Sequence, residues 1–107
     1  MDYFFENDRP IYLQLVDKIK KEIISGKIKS GERLPSVREL ALITKVNPNT
    51  MQKALAELEN DGLIYTERTN GKFVTKDIKL IEKTRKEFFN EIIDVVTLLG
   101  GDLNDAL

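Results

Sequence analysis

The sequence contains no cysteine and no histidine. The first absence excludes a disulfide framework, a thiolate metal site and a cysteine nucleophile. The second removes the commonest metal ligand and the commonest general base. A carboxylate-only site would survive both absences, but no cluster of acids marks one, and there is no glycine-rich phosphate loop. No metal, no cofactor and no enzymatic activity are expected. Long apolar runs are missing too. The densest stretch, Glu91 to Gly101, is too short to cross a membrane. The opening Met1-Asp2-Tyr3-Phe4-Phe5-Glu6 has neither the charged start nor the apolar run of a signal peptide. A reducing cytoplasm, with no membrane partner, is therefore the expected setting. An excess of positive charge is also lacking: 17 Lys+Arg stand against 18 Asp+Glu, for a net charge of −1. Residues 1–75 carry 12 Lys+Arg and 11 Asp+Glu, and residues 76–107 carry 5 and 7. Charge alone gives no support to a polyanionic partner, so any such partner has to be argued from the residue pattern.

What is present fits one small domain with an appendage. The 107 residues are 41% hydrophobic, enough for a single core but not for two full domains. Residues 1–9 read as an N-terminal arm whose Tyr3, Phe4 and Phe5 tack it to the core. A helix is expected from Pro10, since proline suits a first helical turn. Ile11, Leu15, Ile19 and Ile23, widened by Tyr12, Val16 and Ile24, give it an apolar face, and Gly26 stops it. Residues 26–35 read as a turn-rich connector. Ser36-Val37-Arg38-Glu39 has the form of a capping box and opens a short helix through Leu40, Ala41 and Ile43, which breaks near Lys45-Val46. Asn47 can cap the next helix, with Pro48 in its first position; it runs through Met51, Leu55 and Leu58 to Gly62, an expected left-handed cap. Residues 63–67 and 72–75 read as strands joined by Arg68-Thr69-Asn70-Gly71, with Asn-Gly as the turn pair. A long helix from about Ile78 to Leu99 ends at Gly100-Gly101, and Asp102 could cap one more turn through Leu103 and Leu107.

Two short helices around a tight turn, followed by a hairpin, make the plan of a winged helix-turn-helix. The expected class is mainly α (α+β): a winged helix-turn-helix domain over 1–75, followed by a C-terminal helical dimerisation segment over 76–107. At this point the residues say more than the pattern. Pro35-Ser36-Val37-Arg38-Glu39-Leu40-Ala41, Val46-Asn47-Pro48-Asn49-Thr50-Met51, Ala54-Leu55, Leu58, Gly62-Leu63-Ile64, Gly71 and Phe73-Val74 resemble the DNA-binding domain of the GntR family of bacterial regulators, without gaps through the core of residues 10–75. Pro10-Ile11-Tyr12, Gln14-Leu15 and the Val46–Thr50 turn are similar to its YtrA-type subfamily, as is the short C-terminal extension. The resemblance implies a homodimeric regulator of transcription, usually a repressor. The chain departs from the family where Arg is common, at Pro48 and Gln52. It departs again at Thr69, where glycine is common, and at Lys72, where Thr or Ser is usual. The family's sequence preference therefore does not carry over.

In a helix-turn-helix the second helix offers its N-terminal side chains to base edges in the major groove. Here these are Asn47, Asn49, Thr50, Gln52 and Lys53. Capping is the safer role for Asn47. Contact with bases or phosphates outweighs a merely solvated face for Asn49, Thr50 and Gln52, and Lys53 suits phosphate or guanine. Arg38 reaches DNA by the resemblance; Ser36 caps its helix and can donate to phosphate. Arg68, Asn70, Gly71 and Lys72 form a wing tip suited to a minor groove or phosphates, although an ordinary surface hairpin would look the same. Leu40, Ala41, Val46, Met51, Ala54, Leu55, Leu58, Leu63 and Ile64 are expected core.

In the long helix Ile81, Phe88 and Val95 lie seven apart, Ile92 and Leu99 repeat that spacing, and Phe89, Ile93, Val96 and Leu98 broaden the stripe. A helix apolar on more than one side needs more than one partner. The expected dimerisation residues are Ile81, Phe88, Ile92, Val95, Val96 and Leu99, and the alternative is a helix folded back on its own domain. The expected partners are double-stranded operator DNA and a second copy of the chain. A small-molecule effector at the seam is left open, with no constellation marking its site. The rival readings are a winged-helix module that binds protein and an antitoxin-like repressor that neutralises a partner through its last helix.

Overall fold

The computed structural model describes Phe5 and residues 8–100; the side chains of Val95 and Val96 fall outside that description, as do the arm residues Tyr3 and Phe4 and the expected last turn at Leu103 and Leu107. The order of elements is α1 (Ile11–Ile24), α2 (Val37–Thr44), α3 (Pro48–Asn60), β1 (Ile64–Glu67), β2 (Gly71–Val74) and α4 (Ile78–Leu98). This is the expected class, a mainly helical winged helix.

Local chemistry sets the ends of the reading helices. The Ser36 hydroxyl accepts from the Glu39 N–H at 3.1 Å, and the Ser36 N–H donates to the Glu39 carboxylate at 3.5 Å, which completes the capping box of α2. The Asn47 carboxamide oxygen accepts from the Asn49 N–H at 2.8 Å and caps α3. Helix α3 ends in a Schellman turn: Leu63 N–H reaches the Leu58 carbonyl and Gly62 N–H the Glu59 carbonyl, both at 3.0 Å, with Gly62 at φ +79°. Helix α2 ends by the same device, Val46 N–H to Ala41 carbonyl at 3.1 Å, but there Lys45 holds the left-handed position (φ 58°, ψ 40°).

The core is a wedge between α1, α3 and the sheet. Leu15, Met51, Ala54, Leu55, Leu58 and Val74 are fully buried, with Ile19, Leu63 and Ile64 at 1% exposure. Every buried polar side chain among the described residues has a hydrogen-bond partner. Thr44 is an example: its hydroxyl donates to the Leu40 carbonyl at 2.7 Å. Phe5 packs against this core, with the Lys18 ammonium over its ring.

Several expectations are corrected. Pro10 is the residue before α1 rather than its first turn, with ψ 138°. Ile11, on the expected apolar face of α1, is 45% exposed, and Val46, an expected core residue, is only half-buried. The wing is not a two-residue Asn-Gly turn: Glu67 pairs with Gly71, three residues lie between, and Asn70 lacks the positive φ that such a turn demands. The connector is more than turns. Leu34 N–H donates to the Lys72 carbonyl at 2.8 Å, Val74 N–H to the Glu32 carbonyl at 2.9 Å, and Gly31 N–H to the Val74 carbonyl at 3.0 Å. Residues 31–34 thus line β2 as an irregular third strand, with Arg33 opposite Phe73.

The largest correction concerns α4. Ile81, expected to face a second subunit, is 7% exposed inside its own chain's core. Thr84 is buried beside it, Phe88 packs on the same core under the Lys21 ammonium, and the Arg85 guanidinium donates to the Ile24 carbonyl at 2.9 Å, satisfying an open end of α1. The first half of α4 is therefore part of the winged domain. Further along, Ile92 and Ile93 are half-buried, Phe89 is 39% exposed, and Leu98 and Leu99 are more than four-fifths exposed.

Candidate nucleic-acid interface

The left-handed turn at Lys45 folds α3 back across α2 and leaves one face of the N-terminal half of α3 outside the core. Its inner side is Met51, Ala54, Leu55 and Leu58, all buried. Its outer side is Asn49, Gln52 and Lys53, all exposed, with Thr50 half-buried at the edge. Positions 49, 52 and 53 share one helical face, so an amide, a second amide and an ammonium are presented side by side. These are groups that read adenine or guanine edges, or bind phosphates.

Arg38 lies one residue into α2 and is exposed; among the described residues its guanidinium has no ion pair. The third strand controls where it stands. Residues 31–34 run along β2 toward the wing tip and lead directly into Pro35-Ser36, so the start of α2 is tethered beside the hairpin. Arg38, Ser36 and the wing are in this way brought to one end of the domain by backbone hydrogen bonds.

The wing residues divide. Arg68 and Asn70 are exposed at the tip, where the Asn70 amide donates to the Glu67 carboxylate at 3.0 Å. Lys72 is not at the tip. Its ammonium donates to the Thr66 hydroxyl at 2.9 Å and stands 3.7 Å from the Glu59 carboxylate, which in turn accepts from Thr66. This triad joins β2, β1 and the last turn of α3, and the Lys72 side chain is only 17% exposed. Gly71 lies at φ +100°, a conformation that L side chains resist.

Two residues outside the expected set stand at this surface. The Lys53 ammonium is 4.0 Å from the centre of the Tyr12 ring, so α1 takes part in positioning a recognition-helix cation. Tyr12 reads as an apolar-face residue in the sequence, marked only by the subfamily likeness of Pro10-Ile11-Tyr12, which does not point to a place at this surface. Arg33 packs against Gly71: a Cβ added there would stand 3.3 Å from the Arg33 Nε. Its place follows from the third strand, which a turn-rich connector conceals.

A model of bacterial regulatory proteins, the gntR family, matches residues 11–74. The chain belongs to the GntR family. The family is one of regulatory proteins rather than enzymes. Among GntR relatives, the transcriptional repressor YtrA of Bacillus subtilis is 46% identical over 70 residues, which cover 65% of this chain and 54% of that protein. The matched segment thus spans about half the length of that relative. A GntR family transcriptional regulator from Listeria monocytogenes superposes with a TM-score of 0.79 at 40% identity, covering 94% of this chain and 92% of that one. The DNA-binding domain of AraR, solved in complex with an operator, superposes with a TM-score of 0.63 at 30% identity, covering 67% of this chain and 93% of that one. Among the described residues, no helix is long and apolar enough to cross a membrane.

Proposed function

We propose that the protein is a sequence-specific, DNA-binding regulator of transcription that works as a homodimer on a pseudo-palindromic operator in the bacterial cytoplasm. The observation that carries this reading is the outer face of α3, where Asn49, Gln52 and Lys53 stand exposed beyond a capped start. The operator complex of the AraR domain supports it, because the same fold there holds DNA.

Each part has a physical role. Arg38, Arg68 and the start of α2 supply phosphate contacts, which set affinity and make it salt-dependent. Asn49, Thr50 and Gln52 supply choice among bases. Ser36 and Asn47 hold their helices in place. The distal half of α4, with Ile92, Phe89, Leu98 and Leu99, provides the seam between two copies, and Val95 and Val96 belong to the same stripe. Two recognition helices spaced by that seam read two half-sites, so weak half-site contacts multiply. Occupancy of the operator excludes polymerase and represses.

The test is binding to a labelled duplex of the protein's own promoter against a scrambled duplex, across a salt series. Specific binding by a dimer, lost in Arg38→Ala and Gln52→Ala, is the expected result. Equal weak binding to both duplexes by the native protein would overturn the regulator reading.

A further inference from the structure

Behind the wing tip that carries Arg68, the cations Lys72 and Arg33 lie on opposite faces of the sheet. Lys72 shares the inner face with Thr66, its cross-strand partner, and is engaged there with Glu59. Arg33 lies on the outer face. It pairs with Phe73, which pairs in turn with Tyr65, and the two rings stack with centroids 5.5 Å apart. Gly71 is on this same outer face, two residues from Phe73, and its missing side chain leaves the slot that the Arg33 guanidinium fills. Glu67, the acid across from Gly71, is engaged by Asn70 and makes no ion pair with Arg33. Among the described residues Arg33 is exposed and its guanidinium has no hydrogen bond or ion pair, while its backbone is fixed between Glu32 and Leu34 on β2.

We infer that Arg33 is a DNA-binding cation of the wing in addition to Arg68 at its tip, contacting a duplex phosphate beside the hairpin in the role that Lys72, turned inward, leaves empty. This rests on the DNA-binding reading above. An arginine in this position is suited to the task. Its guanidinium is planar and permanently charged, it presents several donors to phosphate oxygens, and packing on Gly71 removes part of the freedom that a surface side chain otherwise loses on contact. Strand pairing also fixes it on the segment that runs along β2 and leads into the start of α2, the helix that carries Arg38.

The experiment compares the full chain with Arg33→Gln and Arg33→Lys, on the own-promoter duplex and a scrambled duplex of equal length, from 50 to 200 mM salt. Loss of one phosphate contact lowers the slope of log affinity against log salt by about 0.9, which shrinks the fall in affinity over that range by about 3.5-fold. Arg33→Gln is expected to show this on both duplexes, with its melting temperature unchanged. Arg33→Lys should keep the native slope. A native slope in Arg33→Gln, with the native protein binding normally, would overturn the assignment. A loss confined to one base composition would also overturn it, pointing to groove reading in place of phosphate contact. Failure of the native protein to bind either duplex would remove the DNA-binding reading itself, a result separate from both.

Discussion

Substituting Glu59 by Gln separates what Lys72 does for the fold from what it could do for binding. The Lys72 ammonium and the Glu59 carboxylate are 3.7 Å apart, with side chains 17% and 39% exposed. At an effective dielectric constant of about 20 the gross attraction is about 4.5 kcal/mol. Desolvation and screening at a half-open site offset most of it, leaving a net contribution of about 1 kcal/mol. Glu59→Gln preserves the volume and an acceptor for the Thr66 hydroxyl but removes the charge. The melting temperature should fall by about 4–8 °C, the shift that 1 kcal/mol produces in a domain of this size. Lys72, released from its anchor, becomes available to a phosphate. DNA affinity at 50 mM salt should therefore rise, and the salt slope should steepen by about 0.9. Thermal melting followed by circular dichroism reads the first effect, and a fluorescence-anisotropy titration across salt reads the second. A lower melting temperature with an unchanged salt slope would rule this out, because it would mean that the released ammonium has no duplex phosphate within reach.

Other substitutions address the remaining joints. Leu55→Ala, at a fully buried position between α1 and α3, should cost about 2–5 kcal/mol in urea unfolding. Asn47→Ala should cost about 1 kcal/mol through loss of the α3 cap, a stability effect readable without DNA. Lys45→Gly should stabilise by about 0.5 kcal/mol, since relief of a left-handed non-glycine, about 1–2 kcal/mol, exceeds the extra chain entropy of glycine, about 0.5–1 kcal/mol. Leu99→Asp should shift sedimentation toward a monomer and abolish cooperative operator binding, while leaving the melting of the winged domain near its native value, because Leu99 is 81% exposed within its own chain.

The reading helices could be located from sequence because their signals are local. Ser36 with Glu39, Asn47 before Pro48, and Gly62 after the last apolar residue each act within a few positions of themselves, and the buried face of α3 follows helical spacing. What stayed hidden depends on partners far along the chain. Arg33 acquires its place from Phe73 and Gly71, some forty residues away, and nothing near Arg33 announces a strand. Lys72 looks like a free wing cation until Glu59 is seen at its side. Ile81 shares the seven-residue spacing of Phe88 and Val95. Spacing tells which residues share a stripe; it does not tell whether that stripe meets α1 or another subunit, and for Ile81 the answer is its own core.

The burial of Ile81 and Thr84 also defines how far the reading head can be moved as a unit. The segment that matches the family ends at Val74, yet the seal over α1 is made by residues from the first three turns of α4, with Arg85 closing the end of α1. A fragment cut after Thr75 would leave the apolar flank of α1 bare and the Ile24 carbonyl open. One that continues through Phe88 keeps both covered. Any chimera that grafts this reading head onto a different C-terminal partner should therefore be joined beyond Phe88, so that the seal over α1 travels with it.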